Sequence, residues 1–361
     1  MQTTSRQRGD LSTGHRRTRR SSSGGNSPDL LRCPAAVPRG VLGDRDRLEV
    51  VATLRRLAEV EKATRRHPSG GQSLADWPRP LPCRILRTTM PEGHTIHRYA
   101  RQQTNLLAGR KIRVSSPQGR FAADAARIDG ASLMSVMGHG KHLFYRWSTG
   151  EVGHVHLGLF GKFRVRRTPE SPAPVGEVRM RLQTPPDEER AEFVTIDLSG
   201  PTACTVDPPS VRREILARLG PDPIRRAAKP DAMISRIARS RRGIGDLLMD
   251  QSVIAGVGNV YRAEALFACG LHPLRPGNEC DPIDLHALWQ TVQGMLRQGV
   301  KDGRIVTVSR EDLGIAPNAR IPRGEATYVY KRDRCLRCGD EIRRITIANR
   351  TCYYCPTDQP N

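Results

Sequence analysis

Aromatic residues and long apolar runs are both scarce in this sequence. Only 4% of the 361 residues are aromatic, and no apolar run approaches the roughly 20 residues that a membrane-spanning helix needs. The N-terminus is polar and rich in arginine, and it lacks the apolar core of a signal peptide. The sequence therefore predicts a cytoplasmic protein that does not enter a membrane.

Acidic residues are outnumbered by basic ones. The chain has 59 Lys and Arg against 37 Asp and Glu, a net charge of +22. Residues 1–89 hold 18 of these basic residues and 8 of the acidic ones, so nearly half of the excess charge lies in a quarter of the length. Such a surface favours polyanions, and nucleic acid is the usual one. A basic surface that only keeps the protein soluble would give the same composition.

The nine cysteines do not resemble a secreted disulfide framework, because four of them fall in the last 27 residues. Cys335 and Cys338 form one Cys-x-x-Cys pair, and Cys352 and Cys355 form a second. Two such pairs at the ends of a short hairpin can hold zinc tetrahedrally and fold a segment that is too small to have a core. The 13 residues between the pairs are slightly fewer than in the common zinc ribbon.

The order of local patterns divides the chain. Residues 1–40 are charged, small and rich in Pro and Gly, which predicts disorder, and one amphipathic helix fits residues 45–63. A helix is predicted from His94 to Gly109, followed by short alternating segments typical of an antiparallel β sandwich or barrel. After Pro208 the pattern becomes helical, and the chain ends in two short strands between the cysteine pairs.

Three glycine-containing motifs stand in these segments. In QSVIAGVGNVY, a helix ends, Gly256 and Gly258 form a tight turn, and a second helix begins near Asn259, an arrangement that suits a phosphate. GHGKHLFY brings Lys141 into a strand after a glycine turn, and HLGLFGKF places Leu159 and Phe160 on a turn between glycines. Taken alone, each motif is equally explained by a capped helix, a solvated lysine or a simple hairpin.

Taken together and in this order, the motifs of residues 90–361 resemble the formamidopyrimidine-DNA glycosylase / endonuclease VIII family, nearer endonuclease VIII. The resemblance rests on MPEG, GHGKHL, HLGLFGKF, ARLGPD, LLMDQSVIAGVGNVYRAE and the cysteine hairpin. It implies an α+β, multidomain fold: a β sandwich with a flanking helix, a helical helix–two-turns–helix domain and a zinc β hairpin. The implied boundaries are 1–89 for a disordered basic extension, 90–207 for the catalytic domain, 208–302 for the DNA-binding domain, and 303–361 for a loop plus the zinc hairpin.

The resemblance also implies a mechanism. Family members use an N-terminal proline, exposed by loss of the initiator Met, to displace a damaged base and form an iminium that activates strand elimination. Pro91 occupies that place here, and its nitrogen cannot react while it is bonded to Met90, because an amide lone pair is delocalised. Met90 is therefore predicted to be the true start, or a protease exposes Pro91. Glu92 is the implied general acid.

Further roles carry over by position. Lys141 would contact phosphate and assist proton transfer in β-elimination, and Arg350 would contact phosphate and assist δ-elimination. Asn259 would hold a phosphate beside the lesion. Leu159 and Phe160 would fill the gap left by the flipped base, whose extrusion costs a few kcal/mol. The resemblance implies that the partner is double-stranded DNA with oxidised bases or abasic sites, and that a monomer associated with the bacterial nucleoid binds it.

Two departures from the family pattern affect these roles. The third and fourth family cysteines fall at Cys355 and Asp358 here, and Cys352 is additional, so structural Zn²⁺ is expected on Cys335, Cys338, Cys355 and either Asp358 or Cys352. Thr95 stands where many members have Glu.

Two other interpretations of the sequence compete with this one. The first is a non-catalytic DNA-binding relative whose Pro91 is blocked by the extension. The second is a zinc-ribbon transcription or ribosomal factor, which leaves Pro91, Glu92, Lys141 and Asn259 unexplained.

Overall fold

The computed structural model describes residues 91–188 and 190–361. The predictions for residues 1–89, both the disordered extension and the amphipathic helix, lie outside the described residues, as does Met90. None of the helices in the described stretches is both long and apolar enough to cross a membrane.

The first half of the described chain is a pair of antiparallel sheets with a helix against them. One sheet has the strand order β1-β6-β7-β5 and the other β2-β3-β4-β8. The elements are α1 (Gly93–Leu107), β1 (Arg113–Ser115), α2 (Ala122–Ile128), β2 (Leu133–His139), β3 (His142–Trp147), β4 (Val152–His156), β5 (Lys162–Thr168), β6 (Val178–Thr184), β7 (Phe193–Ser199) and β8 (Ala203–Asp207).

Alternating side chains of the two sheets share one apolar core with α1. Ile96 and Leu107 of α1, Leu143 of β3 and Ile196 of β7 are all fully buried in it. Each strand of a two-layer β structure turns every second side chain inward, so the alternation in the sequence becomes burial on one face. This core fixes α1, and with it the residues just before α1, against β2 and β3.

Five helices follow the sandwich. They are α3 (Pro209–Arg218), α4 (Asp231–Ile237), α5 (Ile244–Leu247), α6 (Asn259–Ala268) and α7 (Pro282–Asp302), with short 3₁₀ turns at Gly277–Glu279 and Arg323–Glu325. The last four enclose a second apolar core, whereas Ile215 of the first packs on Phe144 and Val152 of the sandwich. The ends of α7 follow from its sequence: Asp281 caps the first turn by accepting from the Ile283 N–H (2.7 Å), and Gly303 ends the helix with φ of 68°.

A two-stranded hairpin closes the chain. β9 (Arg343–Ile347) pairs with β10 (Arg350–Tyr354), and Arg350 lies opposite Ile347. The two-residue turn between them has Ala348 at φ 52° and Asn349 at φ 57°, the left-handed conformation that such tight hairpins need. The turn therefore places Arg350 at the first position after the bend.

The expected fold class is confirmed: an α+β chain with an N-terminal sandwich, a helical region and a terminal hairpin. Three elements were not predicted, namely α2, β2 and β8. The helix that was expected to end before Gly256 is only one turn long, α5, and turns follow it. Cys352 lies in the middle of β10, so the second cysteine pair is not at the end of the hairpin as expected.

Candidate active site

Three turns from distant parts of the sequence meet at one point. The Gly93 N–H donates to the Gly256 carbonyl at 2.8 Å, and a Cβ at Gly93 would lie 2.9 Å from the Gly256 Cα. A Cβ at Gly140, where φ is 55°, would lie 2.9 Å from the Ala255 Cβ. Real Cβ atoms do not come this close, so the backbones of the MPEG, GHGK and AGVGN segments can meet only because glycines stand there.

Glu92 lies at the centre of this junction and is almost completely buried. One carboxylate oxygen accepts from the Gly258 N–H and the other from the Val260 N–H, each at 2.9 Å. Both donors belong to the first turn of α6, where unpaired N–H groups favour an anion. A Cβ at Gly258 would lie 2.4 Å from the Glu92 Cδ, which explains the second glycine of the motif.

Burial sets the charge state of Glu92. Desolvation raises the pKa of this carboxyl above its ordinary value, and the Lys141 charge and the backbone N–H groups lower it only in part. The site therefore favours the protonated acid more than water does. Pro91, half-buried, directly precedes it and begins the described chain.

Lys141 lies immediately before β3, at the end of the turn that packs on Ala255. Burial lowers the pKa of its ammonium group, the Glu92 carboxylate raises it, and the Arg350 guanidinium lowers it further. The Lys141 charge thus interacts with both Glu92 and Arg350, and Pro91 adjoins Glu92 in the chain. Four predicted residues, Pro91, Glu92, Lys141 and Arg350, are therefore brought to one place by the sandwich, the helices and the hairpin.

Asp222 holds the lysine turn and was missed at the sequence level. Its side chain is fully buried, and its Oδ2 accepts from the Gly140 N–H (2.8 Å) and contacts the His97 Nε2 (2.6 Å). His97 is on α1, so one carboxylate from the helical half fixes two parts of the sandwich half. Asp222 is the last residue of the ARLGPD motif, and this motif was the only sequence signal that pointed to it. The residues that Asp222 contacts cannot be predicted from the sequence.

Asn259 links α6 to the hairpin. It is buried, its Nδ2 donates to the Thr351 carbonyl at 2.9 Å, and its Oδ1 accepts from the Arg262 guanidinium. Arg262, also buried and also missed at the sequence level, donates to the Thr351 carbonyl at 3.3 Å. Through these contacts, Asn259 holds β10 against the start of α6. β10 is the strand that carries Arg350.

Leu159 and Phe160 lie on the turn between β4 and β5 and do not join the buried cluster. Their exposed fractions are 47% and 74%, unusually high for such large apolar side chains. The turn itself is tightly fixed, since a Cβ at Gly158 would lie 1.9 Å from the Thr202 Oγ1 and one at Gly161 2.3 Å from the Leu157 carbonyl oxygen. The two side chains therefore project from a rigid support.

Four side chains beside the hairpin form a group that can hold a metal ion. The ligand atoms of Cys335, Cys338, Cys355 and Asp358 all lie within 4.8 Å of one another. The Cys335 Sγ is 3.0 Å from the Asp358 Oδ2, and the Cys338 and Cys355 sulfurs are 3.4 Å apart. Three thiols and one carboxylate at these separations fit a tetrahedral site. Cys352 is buried in β10 and lies outside this group.

Comparison with known proteins agrees with this architecture. Residues 90–200 match the family model of the formamidopyrimidine-DNA glycosylase N-terminal domain, and residues 219–310 match that of the formamidopyrimidine-DNA glycosylase H2TH domain. The chain is 44% identical over 277 residues to "Endonuclease 8 1" of Mycobacterium tuberculosis, covering 75% of this chain and all of the relative. It is 33% identical over 226 residues to the formamidopyrimidine-DNA glycosylase of Thermosynechococcus vestitus, covering 61% and 77%.

Solved structures give the same fold. The MutM (Fpg) protein of Thermus thermophilus matches with a TM-score of 0.59 at 27% identity, over 74% of this chain and 98% of that one. A Lactococcus lactis Fpg, in a complex with DNA that contains an abasic site, matches with a TM-score of 0.60 at 21% identity, over 75% and 100%, which supports the fold alone. This fold and site define the protein as a DNA glycosylase. Within that class, the chain belongs to the formamidopyrimidine-DNA glycosylase / endonuclease VIII family.

Proposed function

We propose that this protein removes oxidised bases from double-stranded DNA and then cleaves the abasic site, with the nitrogen of Pro91 as nucleophile. The observation that carries the proposal is the junction itself. A proline stands directly before a buried carboxyl group held by the first turn of α6, with Lys141 and Arg350 alongside. Oxidised bases and abasic sites in duplex DNA are the substrates, and the enzyme acts as a monomer in the cytoplasm, on the nucleoid.

The chemistry begins at the sugar of the damaged nucleotide. The Pro91 nitrogen attacks C1′ and loses its proton, and the base leaves with the electrons of its bond to C1′ and takes up a proton. Glu92 donates a proton to the ring oxygen as the sugar opens, giving an iminium between Pro91 and C1′. The raised pKa of Glu92 supplies the protonated acid that this step requires.

Strand cleavage then follows from the iminium. Loss of a proton from C2′ drives departure of the 3′ phosphate, which is β-elimination, and Lys141 assists this proton transfer. The lowered pKa of Lys141 increases the fraction that can accept a proton near neutrality. Arg350 contacts phosphate and assists a second, δ-elimination at the 5′ side.

DNA contacts and the metal site support this chemistry. Leu159 and Phe160 enter the gap left by the flipped base, and Asn259 lies beside the phosphate of the damaged nucleotide. Cys335, Cys338, Cys355 and Asp358 would hold structural Zn²⁺, which would keep the hairpin folded and take no part in the reaction. Asp358 replaces the fourth thiolate.

The proposal requires a free secondary amine at Pro91, so residues 1–90 must be absent from the active form. Translation from Met90 followed by Met removal gives this directly, and proteolysis is the other route. A chain that keeps the preceding residues on Pro91 would bind DNA without catalysis, which is the alternative function.

Borohydride trapping on a duplex with one abasic site tests the proposal. Reduction converts an iminium into a stable adduct, which peptide mapping can locate. We expect an adduct on Pro91 for protein expressed from Met90, and none for the full 361-residue chain, its matched control. If the shorter form binds the duplex but gives no adduct, the lyase mechanism is wrong, and a DNA-binding protein without catalytic activity is the favoured interpretation.

A further inference from the structure

The side chain of Gln251 closes the turn that leads from α5 into α6, and no step of the proposed reaction uses it. Gln251 is half-buried. Its Oε1 accepts from the Gly256 N–H at 2.9 Å, and its Nε2 donates to the carbonyls of Val257 (3.0 Å) and Met249 (3.1 Å). A side-chain amide has one carbonyl and two N–H groups, so each of these groups has a backbone partner in the turn.

These three contacts fix both the amide and the turn. If the amide were rotated by half a turn, its oxygen would face two carbonyl oxygens and its NH₂ group would face the Gly256 N–H, so only one orientation is favourable. Gly256 has φ of 97°, a left-handed conformation outside any helix or strand, and its carbonyl accepts from the Gly93 N–H at 2.8 Å. The Gln251 amide therefore supplies hydrogen bonds to a segment that no helix or sheet holds.

One peptide group connects Gln251 to Glu92. The Val257 carbonyl and the Gly258 N–H belong to the same planar trans peptide group and point in opposite directions. The Gln251 Nε2 donates to the carbonyl of this group, and its N–H donates to the Glu92 carboxylate at 2.9 Å. A hydrogen bond to the carbonyl also polarises the group and strengthens its N–H as a donor. Gln251 and Glu92 therefore hold the two sides of a single rigid unit.

We propose that Gln251 is a positioning residue for Glu92, because its amide holds the peptide group between Val257 and Gly258 with the N–H directed at the carboxyl group. The inference rests on the proposed function for its consequence, since Glu92 is the general acid of base excision there. Without the Gln251 amide this peptide group can rotate, and the carboxyl group loses one of the two N–H donors that hold it. Base excision then slows, while steps that do not need Glu92 continue.

Three variants of the protein expressed from Met90 separate positioning from general stabilisation, and both apolar cores lie within this form. Gln251→Met keeps the length of the side chain and removes its hydrogen bonds. Gln251→Glu keeps the shape: an ionised carboxylate has no proton to donate to the turn, whereas a protonated one can again accept and donate. Gln293→Glu is the matched control, because the Gln293 Nε2 donates to another backbone carbonyl of the helical half, that of Pro223, at 2.9 Å.

Single-turnover base excision is compared with incision of a preformed abasic site, each relative to the parent at the same pH. At about pH 8, both Gln251 variants should slow excision by about tenfold, as for one lost hydrogen bond to a reacting group, and slow incision much less. As the pH falls to about 5, toward the ordinary pKa of a glutamate, Gln251→Glu should regain excision and Gln251→Met should not. In a Glu92→Gln background, Gln251→Met should cost little more. Gln293→Glu should match the parent.

Amide hydrogen exchange, followed by NMR, tests the same contact without catalysis. Gln251→Met should speed exchange of the Gly258 N–H by about tenfold, and Gln293→Glu should leave it unchanged. Unchanged Gly258 exchange in Gln251→Met, equal losses on both substrates, or losses that add fully to that of Glu92→Gln would each overturn the inference. If the parent excises no base but Gly258 exchange responds as expected, the proposed function is wrong, and the positioning of Glu92 by Gln251 stands.

Discussion

Glu92 performs one task in the proposed reaction that an abasic site does not need. Excision of a base requires the closed sugar ring to open, whereas an abasic sugar already equilibrates with its open aldehyde. Two N–H groups at the start of α6 hold the buried Glu92 carboxyl group where it can assist ring opening during base excision. We therefore expect Glu92→Gln to slow base excision by about 100-fold or more, as for loss of a general acid, and to slow incision of preformed abasic sites much less.

Single-turnover assays on an oxidised base and on an abasic site, with the same flanking sequence, measure this separation. Glutamine has nearly the shape of glutamate but offers an amide to one backbone N–H, so some loss of stability is also expected. Binding to an abasic duplex shows whether the variant is folded. Equal loss on both substrates would contradict the role in ring opening.

Lys141 can lose its proton where an arginine cannot. Burial and the nearby Arg350 guanidinium lower the pKa of the Lys141 ammonium, and only Glu92 opposes them. Lys141→Arg keeps a positive charge for phosphate but not a usable base. We expect slower β-elimination with duplex binding largely retained, and loss of the rate increase that the parent shows as pH rises toward the lowered pKa of Lys141. A variant with the parent's pH profile would remove Lys141 from proton transfer.

Among the helices and strands, the sequence predicted those that are determined by nearby residues in the chain. Asn259 begins α6 as expected, because Gly256 and Gly258 break the preceding turn in the same short stretch. β8 was missed because it is only five residues long and because Ala203 and Asp207 at its ends give little β signal. β8 exists because it pairs with β4, a contact that a linear pattern does not contain.

The same distinction applies to the candidate site. The residues of the junction were predicted from motifs, but their contacts were not, since Glu92 and its donors Gly258 and Val260 are more than 160 residues apart in the chain. Asp222 and Arg262 were missed for this reason. A buried polar residue becomes recognisable only when its partners are known, and these two residues have partners in distant segments, Gly140 for Asp222 and Thr351 for Arg262.

The metal group beside the hairpin allows a test of one element by itself. Asp358 lies with the three cysteine sulfurs, whereas Cys352 is buried in β10. We expect the parent to carry about one zinc ion per chain, Asp358→Ala to carry much less, and Cys352→Ala to remain loaded. Metal analysis of the purified proteins gives the answer. Because the hairpin carries Arg350, Asp358→Ala and chelator treatment should also weaken δ-elimination more than β-elimination.

A reversed result, with zinc lost in Cys352→Ala and kept in Asp358→Ala, would show that Cys352 is the fourth ligand. The change Asp358→Cys is a further control, because it restores four thiolates at the positions that the structure brings together. It should bind zinc at least as well as the parent.

For the whole molecule, the partly buried histidines of β3 and β4 connect stability to pH. His142 Nδ1 and His154 Nε2 are 2.9 Å apart, and the His142 and His156 ring centres are 4.8 Å apart. Burial lowers the pKa of His142 to about 3, helped by the charges of the other histidines and Arg218, and lowers that of His154 to about 4. The folded protein therefore holds both rings neutral at pH values where an unfolded chain protonates them.

The direction of the effect follows from this difference. An unfolded histidine takes up its proton near its ordinary pKa of about 6.5, so the stability contributed by neutral rings is present above that pH and is lost as pH falls toward the folded values. Each ring should cost about 1–2 kcal/mol of unfolding free energy between about pH 7.5 and about pH 5. The double change His142→Gln with His154→Gln should remove most of this loss, and the exposed His286→Gln on α7 should not. Urea unfolding at both pH values measures it, and an equal acid loss in parent and double variant would mean that other groups, not these rings, set the acid limit of the fold.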